Sequence, residues 1–364
     1  MSETITPLVP PLSAAELPPV GGAIGSEPED FIVDEVPLYA ASGQGEHLYV
    51  QIKKRNLTTR DAVRRIAEAA GVHERDIGTA GMKDKHAVTT QWLSLLARGA
   101  RAPDTWSLPE GLEVIEATRH GNKLRTGHLL GNRFRIRIVG GAPDGVERAT
   151  RIARHITTRG MPNSFGAQRF GFDGDNLAAA FRWLDREVRA GKKGTIPPFE
   201  RKLYSSVVQS EVFNRYLVAR LAEGLDRPIA GEVVRLEGTS SLFVVDEPER
   251  EAPRWASRDI HPSGPIVGPK MKPARDRALA LEEGAMNEAG LDADLSAHLG
   301  RYADGTRRDV LLFPKEFNVA AAPDGVLVLD FFLPTGSYAT EVVRELTRHP
   351  FFGKSRPNES MSPA

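Results

Sequence analysis

The stretch RFRIRI, residues 133–138, alternates Arg133, Arg135 and Arg137 with Phe134, Ile136 and Ile138. A strand turns successive side chains to opposite faces, so this segment has one apolar and one cationic face. No acid occurs between Glu116 and Asp144. Upstream, Leu48, Val50 and Ile52 alternate with Tyr49, Gln51 and Lys53, which predicts a strand over residues 47–53. A helix follows, capped by Thr58 or Thr59, with Val63, Ile66, Ala67 and Ala70 on one face and Gly71 at its end. Residues 76–96 read as strand, loop, strand, with the loop at 81–87 and the second strand at 89–95.

Downstream, apolar residues at three- and four-residue spacing predict helices over 146–158, 177–190 and 204–222. Residues 223–275 are rich in Pro, Gly and charge, with short β-like runs such as 241–245, and 278–289 looks helical. The nearly continuous apolar run VLVLDFFL, 326–333, fits a strand buried on both faces. Pro334 to Gly336 then turns the chain, and Ser337 is expected to cap a last helix containing Tyr338, Val342 and Leu346. Strands interleaved with helices make this an α/β (α+β) chain. No internal repeat is present.

The whole chain has 364 residues, which suggests two or three domains, each with its own core. It has no Cys, which excludes disulfides, thiolate metal sites and cysteine nucleophiles. Residues 1–22 contain five Pro and no Lys or Arg, unlike a signal peptide, and are expected to be flexible. No run approaches the roughly 18 apolar residues that span a bilayer, so a soluble cytoplasmic protein is expected. Its 48 basic and 48 acidic residues cancel overall but not locally: residues 1–52 carry −8, 53–220 carry +14 and 221–364 carry −6. The middle segment is a candidate for binding phosphate backbones, although solvated helix faces are another home for such an excess. There is no phosphate-binding glycine loop, no Gly-x-Gly-x-x-Gly and no clustered His, so no nucleotide cofactor or metal is expected.

Two segments can carry chemistry. GTAGMKDKHAVTTQW, residues 78–92, sets Asp84 among Lys83, Lys85 and His86 in a glycine-bounded loop. A carboxylate beside cations stays ionised and is available as nucleophile or base, although the same pattern is that of a surface ion pair. MPNSFGAQRFGFDGDN, residues 161–176, mixes aromatics, Arg and Gly without a period. It reads either as a domain junction with Phe165, Phe170 and Phe172 filling a core, or as aromatics placed to stack on unpaired bases.

The motifs PEDFIVDE (28–35), GQGEHLYV (43–50), AGMKDKHAVTTQW (80–92), KLRTGHLLGNRFRI (123–136), PNSFGAQRFG (162–171) and LPTGSYATEVVREL (333–346) together resemble the TruD family of tRNA pseudouridine synthases. The resemblance implies a pseudouridine-synthase catalytic domain with a mixed central sheet and flanking helices, at residues 23–159 and 309–352. A family-specific α/β domain would be inserted at 160–308, and residues 353–364 would form a flexible tail. It also implies isomerisation of uridine at position 13, in the D arm of tRNA, without cofactor or metal. The tRNA elbow would lie in a basic cleft between two domains, with no obligate protein partner.

By the same resemblance Asp84 is the catalytic aspartate, Phe31 lies at the uridine pocket, Asn132 and Phe134 supply its amide and its stacking aromatic, and Tyr338 lines it. The chemistry of the residues agrees. The base must leave its stack, a flat ring can hold it, an amide can pair with its polar edge, and one ionised carboxylate can serve the covalent or proton-transfer step. Three positions depart from the family pattern. Gly25 stands near where many relatives carry a basic residue able to neutralise the aspartate, so Lys83, Lys85 or an Arg is expected to substitute. Ser164 stands where an aromatic is common, and Thr58 replaces a frequent Asn. Two other readings remain: a catalytically weakened RNA-binding or tRNA-folding protein of the same fold, and a nucleoside-bond hydrolase pairing Asp84 with Asp173 or Asp175.

Overall fold

The structure is a computed structural model that describes residues 6–171, 174–192, 194 and 196–349. The chain first forms β1 (Gly21–Ile24), β2 (Phe31–Pro37), β3 (His47–Arg55), α1 (Thr59–Ala70), β4 (Gly78–Thr79), β5 (Val88–Leu96), β6 (Leu112–His120), β7 (Leu129–Gly141) and α2 (Gly145–Arg159). It continues through β8 (Met161–Pro162), α3 (Asp175–Leu184), α4 (Pro198–Ala222), β9 (Val233–Leu236), β10 (Leu242–Val244), α5 (Pro248–Ala256), β11 (Ile260–Ile266), α6 (Asp276–Glu288), α7 (Ala293–Leu299) and β12 (Thr306–Asp309). It closes with β13 (Leu311–Leu312), β14 (Lys315–Ala321), β15 (Leu327–Pro334) and α8 (Ala339–Thr347).

Nine strands make one sheet, in the order β14-β15-β7-β2-β5-β3-β6, with β1 added to β7 and β4 to β5. It is mixed, because β2 runs parallel to β5 while the other pairs are antiparallel. The alternation in residues 133–138 holds: Phe134, Ile136 and Ile138 are buried against Ile152 and Ile156 of α2 and Val342 and Leu346 of α8. Val50 and Ile52 of β3 pack in the same way against Ala62 and Ile66 of α1. Thr58 caps α1 through the N–H of Asp61, and Gly71 ends it at φ 72°, in the left-handed region that favours glycine.

The elements between β8 and β13 build a second lobe around Phe170, Leu177, Val208, Phe213 and Leu295, beside a four-stranded sheet β10-β9-β11-β12. The two crossings between the lobes pair with each other, Leu311 against Pro162 and Leu312 against Met161. No helix of the described residues is long and apolar enough to cross a membrane.

Three expectations are corrected. β15 is buried on one face only, through Leu327, Leu329, Phe331 and Leu333, because its other face carries Asp330 toward the arginines of β7. Ser337 does not cap α8, which Tyr338 precedes instead. Residues 8–20 are packed, not free: Ala14 and Val20 are buried, Leu8 is bonded to Glu211 and Asn214 in the second lobe, and Ser13 and Val20 are bonded to Glu345 and Leu346 in the first. Prolines suppress helix and strand there but leave an extended strap with side chains to bury. Phe172, Asp173 and residues 353–364 lie outside the described residues.

Candidate active site

The loop joining β4 to β5 is anchored at both of its central residues. The Lys83 N–H donates to Thr59 Oγ1 at 2.9 Å, and the buried Thr59 hydroxyl donates in turn to Gln91 Oε1 at 2.9 Å. The Lys83 side chain runs to Glu35, Nζ to Oε2 2.5 Å, with both groups out of water. The other Glu35 oxygen accepts the Trp92 N–H at 3.0 Å. Asp84 is held through its main chain, where Lys54 Nζ donates to the Asp84 carbonyl at 2.6 Å and to the Leu57 carbonyl at 2.7 Å. The Asp84 side chain itself is exposed.

Lys54 is fully buried. Burial pushes its ammonium down to about 8, against the opposing pull of Asp84. It was not among the residues expected here, although the sequence holds its signal: position 54 continues the inward series Leu48, Val50, Ile52. The expected partners of Asp84 are placed differently. Lys83 is paired with Glu35, and Lys85 is exposed. Near Gly25 the space is taken by an acid, since a Cβ at that position would lie 2.0 Å from Asp30 Oδ2.

The pocket residues are ordered by the sheet register. Glu35, Asn132 and Leu333 form one row across β2, β7 and β15, and Val33, Phe134 and Phe331 form the next. The first row therefore lies at the end of the apolar face, and Glu35 ties it to the Asp84 loop. Asn132 Oδ1 is buried without a hydrogen-bond partner. Phe134 is a core residue, 6% exposed, with its ring stacked on Phe331 at 5.6 Å. Phe31, partly exposed, meets Phe134 edge-on at 6.1 Å. Phe31 is thus the more accessible of the two rings.

Tyr338 stands beyond the end of β15, edge-on to Phe165 at 5.7 Å. The Arg308 guanidinium lies 4.2 Å over Phe165 and donates to both oxygens of Asn163 and to the Gly336 carbonyl. The PNSFGAQRFG segment is therefore the junction between lobes, locked to the turn that precedes Tyr338. Ser164 belongs to the same lock, its hydroxyl donating to Glu341 Oε2 at 2.6 Å. Asp175 lies in the first turn of α3, in the second lobe. A cavity of about 250 Å³, lined by Tyr39, Tyr49, Trp92 and His128, touches Glu35 but contains none of Asp84, Phe31, Asn132, Phe134 or Tyr338.

The family model for TruD, tRNA pseudouridine synthase D, matches residues 12–178 and 188–346. The chain belongs to the TruD family. It is 45% identical over 344 residues to the tRNA pseudouridine synthase D of an Anaeromyxobacter species, covering 93% of this chain and 96% of the relative. To that of Thermus thermophilus it is 38% identical over 339 residues, covering 93% and 92%. The fold matches the crystal structure of the putative tRNA pseudouridine synthase D of Methanosarcina mazei with a TM-score of 0.70 at 24% identity, covering 94% and 96% of the two chains.

In this TruD chain the cationic face of β7 is matched by acids from distant segments. Arg135 pairs with Asp330, Arg133 with Glu316, and Arg137 with both Asp30 and Asp324. That face is a ladder of ion pairs and not an open cationic stripe, so the local excess of +14 overstates the positive charge presented to a polyanion.

Proposed function

We propose that this isomerase, a tRNA pseudouridine synthase D, converts the uridine at position 13 in the D arm of tRNA to pseudouridine, using the Asp84 carboxylate and no cofactor. The observation that carries the reading is a buried, unsatisfied amide oxygen at Asn132, in the row that Glu35 ties through Lys83 to the anchored loop bearing the exposed Asp84. An orphaned buried acceptor is costly unless a ligand supplies the donor. The N3–H edge of an extruded uracil is such a donor, and Asn132 Oδ1 is its acceptor. Phe31 and Tyr338 offer rings at the rim, while Phe134 forms the floor. tRNA is the partner, with its elbow against the seam between the lobes, and the cytoplasm is the setting.

The reaction balances within the substrate. The bond from C1′ of the ribose to N1 breaks, the uracil rotates, a bond from C1′ to C5 forms, and the hydrogen on C5 is lost while N1 gains one. No electrons enter or leave. Asp84 acts, in this reading, at the ribose or at the ring once the base has left its stack. Incubation of the protein with unmodified tRNA transcripts, followed by adduct-dependent reverse-transcription stops, is expected to map pseudouridine to position 13. Asp84→Asn is expected to abolish the stop while RNA affinity stays within about tenfold. A fully active D84N, or a protein that binds tRNA and leaves no stop, would sink the reading.

A further inference from the structure

We propose that Lys54 is a positioning residue for Asp84, a buried ammonium that holds the aspartate's backbone carbonyl against the sheet and so fixes where its carboxylate stands. The inference rests on Asp84 being the reacting group, and its test separates the two.

The first observation is one of register. β3 sends Leu48, Val50 and Ile52 into the core against α1, and Lys54 follows them at the same parity, with Thr89 of β5 and Leu112 of β6 as its uncharged neighbours across the sheet. An apolar side chain would satisfy that position. A lysine there is a desolvated cation, and its hydrogen bonds go to two carbonyl oxygens, not to a carboxylate. Carbonyl dipoles compensate an ammonium only partly.

The second observation is how the other cations of the site are used. Lys83 has its charge cancelled by Glu35 in a buried pair, and Lys85 is exposed, where solvent and salt screen it. Asp84 and Lys83 are the charged groups that act on Lys54: the first favours its charged form and the second opposes it. Of these three lysines Lys54 is the one that is fully buried and bonded to no carboxylate, and its ammonium is directed to the Asp84 main chain. The hydrogen bond from Lys54 fixes the Asp84 main chain against the sheet, while Thr59 and Glu35 fix Lys83. The carboxylate then has only its own side-chain rotations left to order.

A buried lysine kept for function and one kept for the fold respond oppositely to replacement. Lys54→Met retains length and removes the charge and its donors; Lys54→Gln removes the charge and keeps a donor. Single-turnover pseudouridine formation on an unmodified tRNA transcript, tRNA affinity and thermal melting are measured for both. K54M is expected to slow turnover by roughly a hundredfold, with affinity within threefold and melting at or above the wild-type temperature, and K54Q is expected to fall between. Wild-type rates in both variants would overturn the proposal. So would losses of melting temperature and affinity that match the loss of rate, or failure of both variants to fold, since each outcome marks a structural lysine. An active D84N would remove the reading of Asp84 without accounting for a slow, well-folded K54M.

Discussion

Lys83 crosses back from the Asp84 loop to Glu35, whose second carboxylate oxygen holds the main chain of Trp92, so one buried acid joins the loop to two strands of the sheet. Breaking such a pair strands a charge away from water, which costs about 3–5 kcal/mol. Glu35→Gln is expected to shift the urea midpoint by that order and to open the loop at residues 81–87 to proteolysis. A Glu35→Gln, Lys83→Met double variant should regain much of the loss, since no charge is then left alone. Equal losses in the single and double variants would show that the pairing itself contributes nothing.

Asn132 is expected to act on the substrate and not on the fold. Its amide oxygen has no partner to lose, so Asn132→Ala should leave the melting temperature within a few degrees while the single-turnover rate drops about ten- to a hundredfold, the worth of one buried hydrogen bond. A transcript carrying 3-methyluridine at the target lacks the matching donor and should be isomerised poorly by the wild type. Equal rates on the two substrates would remove Asn132 from the pocket.

Lys54 gives a stability effect with a definite sign. Its folded value of about 8 lies below the 10.5 of a free lysine, so from about pH 8 to 10.5 the unfolded chain binds a proton that the native one does not. The stability this group contributes is present above 10.5 and is lost as pH falls through about 8. Chemical denaturation at pH 7.5 and 9.5 should therefore show wild type gaining on Lys54→Met as pH rises, by about 2 kcal/mol. Parallel curves would mean that the native lysine titrates like a free one.

Arg308 closes the seam between the lobes with a planar group that a lysine cannot imitate. It stacks on Phe165 while bonding both Asn163 and Gly336, and although burial lowers its guanidinium to about 10 it remains charged at neutral pH. Arg308→Lys is expected to lose about 2–3 kcal/mol and to raise KM for tRNA more than it lowers kcat, because the turn before Tyr338 loosens. An unchanged KM would place the seam outside the substrate path.

What the sequence made legible follows from periodicity. The alternations at 48–52 and 133–138 name their buried faces correctly, and the glycine-bounded loop at 81–87 lies where its charge and glycines put it. Periodicity reports which side of a strand is inside, not who stands opposite. The acids that neutralise Arg133, Arg135 and Arg137 come from Asp30, Glu316, Asp324 and Asp330, visible only once β7 is known to lie between β2 and β15. Lys54 was hidden for another reason. Charge normally marks an outward position, so the strand reads as ending at Lys53, one residue before its inward series in fact continues.

The strap at residues 8–20 sets an order of events during synthesis. Its main chain is among the first parts of the described chain to be made, yet the Val20 N–H waits for the carbonyl of Leu346, and the N–H groups of Ser13 and Ala14 wait for Glu345. Central strand β7 likewise waits for β15. A nascent chain halted anywhere in the second lobe therefore carries an unclosed sheet and an undocked leader. The sheet and the strap therefore close only once β15 and α8 have been made, and the interval before that is when chaperones would find most of the protein to hold.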